Sequence, residues 1–311
     1  MTKYVVRRLI QMVLTLFGVS LVLFIALFVI TDPLSTFGER TRDPATAAAL
    51  EERYGLDKPL VTQYVKWVGN VSHGDFGESI QRRRPVNDII WSKVPNTAKL
   101  ALVALLIEIA IGLTAGLISA IFRYSFWDVI VTITTTFAIG LPAFVLGLTL
   151  QYLFGIRWNI FPYSGTSQGG WFHFDKHIIL PAFTLAAIDA AVLARLMRGT
   201  MLEVLRADYV RTARAKGLSE TAVMVKHAMR NAIVPVVTYI GVVFGTLLAG
   251  AVITETIFNW DGVGRALINA IYDEDNPVVL GIITYSVFVF VVLSLIVDLL
   301  YAVLDPRIRL E

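Results

Sequence analysis

The chain has 311 residues, 56% of them hydrophobic and 16% charged, with a net charge of +3 and no cysteine. That balance excludes an ordinary water-soluble domain, and the missing cysteine excludes disulfides, thiolate metal sites and cysteine nucleophiles. The charge is too small and too scattered for a nucleic-acid stripe, and there is no interleaving of basic and aromatic residues suited to single strands.

Lys3, Arg7 and Arg8 precede a first apolar run at Leu9–Ile30. A signal-peptide core is roughly 7–15 residues long and ends at a small-residue cleavage site. This run is longer and stops at Thr31-Asp32-Pro33 without Ala-x-Ala, so it predicts a retained first span. A hydrophilic stretch at 31–98 follows, with nine acids and nine bases. Within it Pro44–Tyr54 is helix-like, and Gly55 and Pro59 interrupt. Val61, Tyr64, Val65 and Val68 then share one helical face, and Pro85 opens a short helix reaching Trp91.

Five more apolar runs come at Leu100–Phe122, Val129–Phe154, Ile178–Leu196, Ala232–Ile253 and Val278–Leu304. Crossing a hydrocarbon core of ~30 Å takes roughly 20 residues at ~1.5 Å each. The fourth run is the weakest, since it contains Pro181 and Asp189, and Pro142 and Pro181 are expected to kink their helices. The alternation of a membrane barrel is absent. The expected fold is therefore an all-α membrane protein with six transmembrane helices. It divides into a tail and first helix (1–30), a partly helical loop element (31–98) and a five-span core (99–311). Val263, Leu267 and Ile271 predict an amphipathic turn in the last loop.

Basic residues set the expected orientation. Arg123 lies in the second connection, Arg307 and Arg309 follow the last span, and 195–230 carries eight Lys/Arg against three acids. The connection after the fifth span has five acids and only Arg265. Both termini and the segments at 123–128 and 195–230 are thus expected in the cytoplasm, and 31–98 outside.

Ionisable residues inside spans are candidates by default, because an unpaired charge in hydrocarbon costs at least ~2.5–3.5 kcal/mol. Glu108, Asp189 and Asp298 qualify. Glu108 and Asp189 are the pathway candidates, and their simplest reading is pairing with each other, a helix end or a companion subunit. Gly112-x-x-x-Gly116 and Gly241-x-x-x-Gly245 permit close helix approach, within the chain or at an interface. His173, Asp175 and His177 lack the context of a metal site, and Asp273-Glu274-Asp275 lacks the spacing of a calcium loop, which leaves both as solvated loops. There is no catalytic constellation and no GxxxxGK[ST] phosphate cradle.

The segment RADYVRTARAKG (Arg206–Gly217) and its sequel LSETAVMVKHAMRNAIVP join the fourth and fifth spans. Leu202, Leu205, Tyr209 and Ala213 recur at helical spacing. Gly217 can end a helix in a left-handed cap, and Ser219 can cap the next. A helix–Gly–helix elbow beside the membrane suits the gripping of a partner.

This segment resembles the cytoplasmic EAA loop of ABC-importer permeases of the dipeptide/oligopeptide type. RYGLDKPLVTQYVKWVGNVSHGDFGESI (53–80) is similar to their first outer loop, GAVITETIFNWDGVGR (250–265) to their last, and VDLLYAVLDPRIR (297–309) to their C-terminus. The Glu-Ala-Ala that names the loop is replaced here by Arg211, Thr212 and Ala213. The resemblance implies a non-catalytic permease subunit in a prokaryotic cell membrane. Its implied partners are a second homologous permease, two cytoplasmic ATPase subunits that hold the ATP and magnesium, and an extracytoplasmic solute-binding protein. It also implies that Arg206, Asp208, Tyr209, Arg211, Ala213, Arg214, Ala215, Lys216, Gly217 and Leu218 couple to the ATPase, with Ala213 small enough to enter a groove. Asp75, Phe76, Phe258 and Trp260 are the implied docking residues for the binding protein. The rival readings are an ion-coupled secondary transporter using Glu108 and Asp189, and an intramembrane enzyme.

Overall fold

The structure, a computed structural model, describes residues 2–27, 57–166, 175–249 and 251–304. The expected helix at Pro44–Tyr54 lies outside the described residues, as does His173. In chain order the helices are α1 (Thr2–Ile25), α2 (Leu60–Ser72), α3 (Val86–Ile121), α4 (Phe126–Gly140), α5 (Ala143–Leu150), α6 (Ile179–Val204), α7 (Asp208–Ala215), α8 (Met229–Ala249), α9 (Val252–Ile257), α10 (Val263–Tyr272) and α11 (Asn276–Leu304). Among the described residues α1, α3, α6, α8 and α11 are each long and apolar enough to cross a membrane. The pair α4 and α5 supplies a sixth candidate, bent by 105°. The all-α, six-span expectation describes this chain.

The weak span is the third, not the fourth. Leu141 and Pro142 are extended between α4 and α5, because the proline disfavours helical backbone in the residue before it. Pro181 sits in the first turn of α6, where its missing N–H costs no helical bond, so α6 runs unbroken for 26 residues. Nor does a helix end at Trp91. Residues 86–121 form one 36-residue helix through Pro95.

The chain forms two compact units, residues 1–97 with 261–292 and residues 98–260 with 293–311. In the first, Phe24, Tyr64 and Leu280 form one cluster, with Tyr64 Oη 2.9 Å from Ser20 Oγ. The inward face of α2 is Tyr64, Trp67 and Val68, whereas Val61 and Val65 are exposed, a rotation of the face expected from sequence. Val86, Ile89 and Ile90 at the start of α3 pack with Val263, Ala266 and Ala270 of α10 and Val278 and Ile282 of α11. The Asp273–Asp275 run is not simply solvated. Buried Asp275 accepts from Ser79 Oγ at 2.5 Å and from Ile80 N at 3.1 Å. Asp261 accepts from Lys93 Nζ at 2.6 Å. Asp275→Ala strands a buried hydroxyl and a buried amide, so it should destabilise this unit by about 2 kcal/mol. Faster limited proteolysis near residues 79–85 is the readout, and an unchanged rate would refute it.

In the second unit Leu100 and Ala104 of α3, Ala182 and Ala186 of α6, and Val243 and Leu247 of α8 surround Trp260. Leu193, Met197 and Met201 of α6 continue the core against Ala228, Ala232 and Val236. Glycines set these approaches. A Cβ on Gly112 would lie 2.8 Å from Leu193 Cβ, and one on Gly241 would lie 2.6 Å from Val297 Cγ2. Both glycines therefore serve packing within the chain.

The loop between α3 and α4 is fastened by a buried carboxylate. Asp128 accepts from Arg198 Nε at 2.8 Å, Arg198 Nη2 at 2.9 Å and Tyr124 N at 2.9 Å, and also from the hydroxyl of Ser119. This ties the beginning of α4 to the last turns of α6.

Candidate functional site

The elbow between α6 and α8 is built from its own residues. Asp208 lies in the first turn of α7, where a carboxylate complements the positive end of the helix. Gly217 ends α7 at φ +78°, with Gly217 N bonded to Arg214 O at 2.9 Å and Leu218 N to Ala213 O at 3.4 Å. This is a Schellman closure, and only glycine or an Asn-like residue enters it at little cost. Ser219 Oγ accepts from Ala222 N at 3.4 Å and caps the next turn, Glu220–Ala222, as its sequence position suggested. A π-helical stretch, Val223–Ala228, then leads into α8.

Packing fixes the angle of the elbow. Val210 and Ala213 on α7 are buried against Val223, with Val204 and Leu205 at the end of α6 beside them. Each fully buried valine stabilises by about 1.5–3 kcal/mol, enough to hold a short helix that would not form alone. Arg214 donates from Nε to Glu220 Oε1 at 2.8 Å across the bend, and Tyr209 Oη accepts from Asn231 Nδ2 at 2.8 Å. Both contacts are exposed, so they set geometry more than they add stability.

This divides the ten coupling candidates. The inward face is Val210 and Ala213, so the stripe read from Leu202, Leu205, Tyr209 and Ala213 is replaced. Leu202 and Leu205 belong to the α6 end, and Tyr209 points outward at 43% exposure. Ala213 is 5% exposed and packs with Val223 on that inward face. Arg206, Asp208, Tyr209, Arg211, Arg214, Ala215, Lys216, Gly217 and Leu218 are exposed, which leaves a basic surface with Leu218 as an apolar tip. Beside it lies an apolar cleft of about 260 Å³ between Leu117 and Ile121 of α3 and Met201, Met224, Val225 and Met229.

The pathway candidates converge elsewhere in the second unit. Glu108 of α3 is 0% exposed, and neither of its carboxylate oxygens has a hydrogen-bond partner among the described residues. Asp189 of α6 is half-buried and accepts from Tyr239 Oη of α8 at 3.2 Å. The three groups are close enough to interact electrostatically. Sequence reading missed Tyr239, although it is the one tyrosine in α8. The side chain of Asp298 lies outside those described.

Residues 112–310 match the family described as binding-protein-dependent transport system inner membrane component, and residues 1–101 match the N-terminal region of such membrane components. The chain belongs to this family. It is thus the permease component of a binding-protein-dependent transport system, a multi-pass protein of the inner membrane. It is 41% identical to the di/tripeptide transport system permease protein DppB of Pseudomonas aeruginosa, over 99% of each chain. It is 38% identical to the oligopeptide transport system permease protein AppB of Bacillus subtilis, over 99% of this chain and 100% of that one. It is also 38% identical to the glutathione transport system permease protein GsiC of Escherichia coli strain K12, over 99% of each.

The four docking candidates of the permease differ in exposure. Asp75 is exposed, its carboxylate accepting from Gly77 N at 2.9 Å, and Phe76 is half-buried against the first unit's core. Phe258 and Trp260 are 1% and 0% exposed. Trp260 fills the core beside Leu100 and Val243, and Phe258 O accepts from Gly165 N at 2.9 Å. Neither aromatic can reach a docked protein without opening the second unit, so both are core residues of the permease.

Proposed function

We propose that this chain forms, with a second homologous permease, the passage of an ATP-driven ABC importer for peptides or a related small solute. The elbow is the observation that carries the reading. A push on α7 is handed through Val210, Ala213 and Val223 both to the end of α6 and to the start of α8, two membrane spans at once. Coupling of this kind needs a rigid element between two discrete states. The excess of cations around the elbow favours the cytoplasmic side, where one of two ATPase subunits would grip its exposed face, the pair holding the ATP and magnesium. The side bearing α10 and residues 57–85 would receive a solute-binding protein. The cargoes for which the relatives are named, di/tripeptides, oligopeptides and glutathione, share amide backbones and free carboxylates, which supports a peptide-like solute. Glu108, Asp189 and Tyr239 are then polar groups within the moving helices, with α3, α6 and α8 contributing one each.

Reconstitution tests this directly. The purified chain should hydrolyse no ATP. Solute uptake into proteoliposomes should appear only when the second permease, both ATPases and the binding protein are added with ATP. Uptake by this chain alone on a proton or sodium gradient would refute the reading in favour of ion coupling through Glu108 and Asp189.

A further inference from the structure

α6 carries two arginines one turn apart, and their surroundings differ. Arg198 is matched by the Asp128 carboxylate. Arg195 has no carboxylate within ion-pair distance among the described residues. Its Nη2 donates to a neutral hydroxyl, Thr136 Oγ1, at 2.7 Å. That hydroxyl spends its own hydrogen on Thr132 O at 2.6 Å, so it meets the guanidinium with a lone pair.

Position makes the difference informative. From the Asp128–Arg198 contact, Arg195 lies three residues back on α6, about 4.5 Å, while Thr136 lies eight residues along α4, about 12 Å, at ~1.5 Å per residue. Thr136 therefore holds the guanidinium two turns into α4 from Asp128, away from the loop at 122–125. Arg195, Thr132, Thr136 and Gly140 are all exposed in the single chain, and a Cβ on Gly140 would meet nothing within 4 Å. Thr132, Thr136 and Gly140 recur every four residues, so they form one open polar stripe. The neighbouring exposed stripe, Ile133 and Phe137, is apolar. A guanidinium facing hydrocarbon is costly, so the arginine's stripe borders water and not lipid.

We propose that Arg195, held by Thr136 on this stripe, is a passage-lining subsite that receives a carboxylate of the transported solute. The proposal rests on the permease reading above. A guanidinium has five N–H donors, and one is spent on Thr136, so a planar pair remains for a carboxylate. A single arginine backed by a hydroxyl holds its guest loosely, as a transit site must.

The absence of cysteine allows a direct test on the assembled importer. Thr132→Cys reports the stripe and Ile133→Cys the apolar neighbour, read as mass added to this chain. Thr132→Cys should react in at least one nucleotide state, and an anionic methanethiosulfonate should react at least ~tenfold faster than a cationic one. Arg195→Gln should abolish that preference. Millimolar dialanine should slow labelling severalfold, and dialanine amide should not. Ile133→Cys should stay unlabelled. The proposal is overturned by no labelling at Thr132→Cys, by a charge preference that survives Arg195→Gln, or by equal protection from the two dipeptides. Loss of the second permease from the Arg195→Gln complex would assign the arginine to the subunit interface and also overturn it. Failure of the permease reading itself would register separately, as a parent importer without ATP-driven uptake.

Discussion

Arg198→Ala should destabilise the chain by about 3–5 kcal/mol, the cost of leaving a buried carboxylate without its cation. Asp128 is nearly inaccessible, and it would keep only the Ser119 hydroxyl and the Tyr124 amide. Those two donors solvate part of a negative charge but do not neutralise it. The lost interaction also frees the beginning of α4 from α6, next to the loop at 122–125. A drop in melting temperature on the order of 10 °C is expected for the purified protein in mild detergent, followed by size-exclusion recovery after heating. The double replacement Asp128→Leu with Arg198→Met should restore most of it, since apolar substitutes for a buried pair are often neutral or better. If the single variant melts within a degree or two of the parent, the pair does not hold these helices together.

This pair shows where sequence reading stopped. Asp128 and Arg198 stand 70 residues apart, each beside a loop expected to be charged, and nothing local separates a buried partner from a solvated one. The spans were legible because apolar length is a local property. Gly217 was legible because a glycine after a short helix has few other reasons to be there, and its positive φ agrees. Burial was the blind spot. Trp260 and Phe258 sit in a polar loop and look available, yet both are buried, Trp260 in a core assembled from α3, α6 and α8. Ala213 looked like an outward contact because its spacing from Tyr209 is helical, whereas Val223, from beyond the bend, decides which face turns in. The bend at Leu141-Pro142 and its absence at Pro181 follow from where each proline falls relative to a helix start, and composition does not fix those starts.

Separating the inner from the outer face of the elbow should give the largest functional effect. Leu218 is 42% exposed, and Arg211 is exposed and lies 3.5 Å from Asp208. Leu218→Asp with Arg211→Glu should therefore leave melting within about 0.5 kcal/mol of the parent, as exposed substitutions usually do. The same variant should fail to retain the ATPase subunits and lose essentially all uptake. Ala213→Glu should behave differently, because it forces an unpaired carboxylate among Val210, Val223 and Leu205 and loosens the elbow itself. It should lose stability and uptake together. Gly217 supplies the third comparison. A Cβ there would meet nothing within 4 Å, so the cost of Gly217→Val is backbone strain alone, roughly 1 kcal/mol or more. Gly217→Asn tolerates the left-handed conformation and should retain most uptake where valine does not. Co-purification of the ATPases, melting and ATP-driven uptake, measured on the four variants, separate these roles. Normal uptake in the Leu218 and Arg211 double variant at parental expression would mean that the motor grips the permease somewhere other than the outer face of α7.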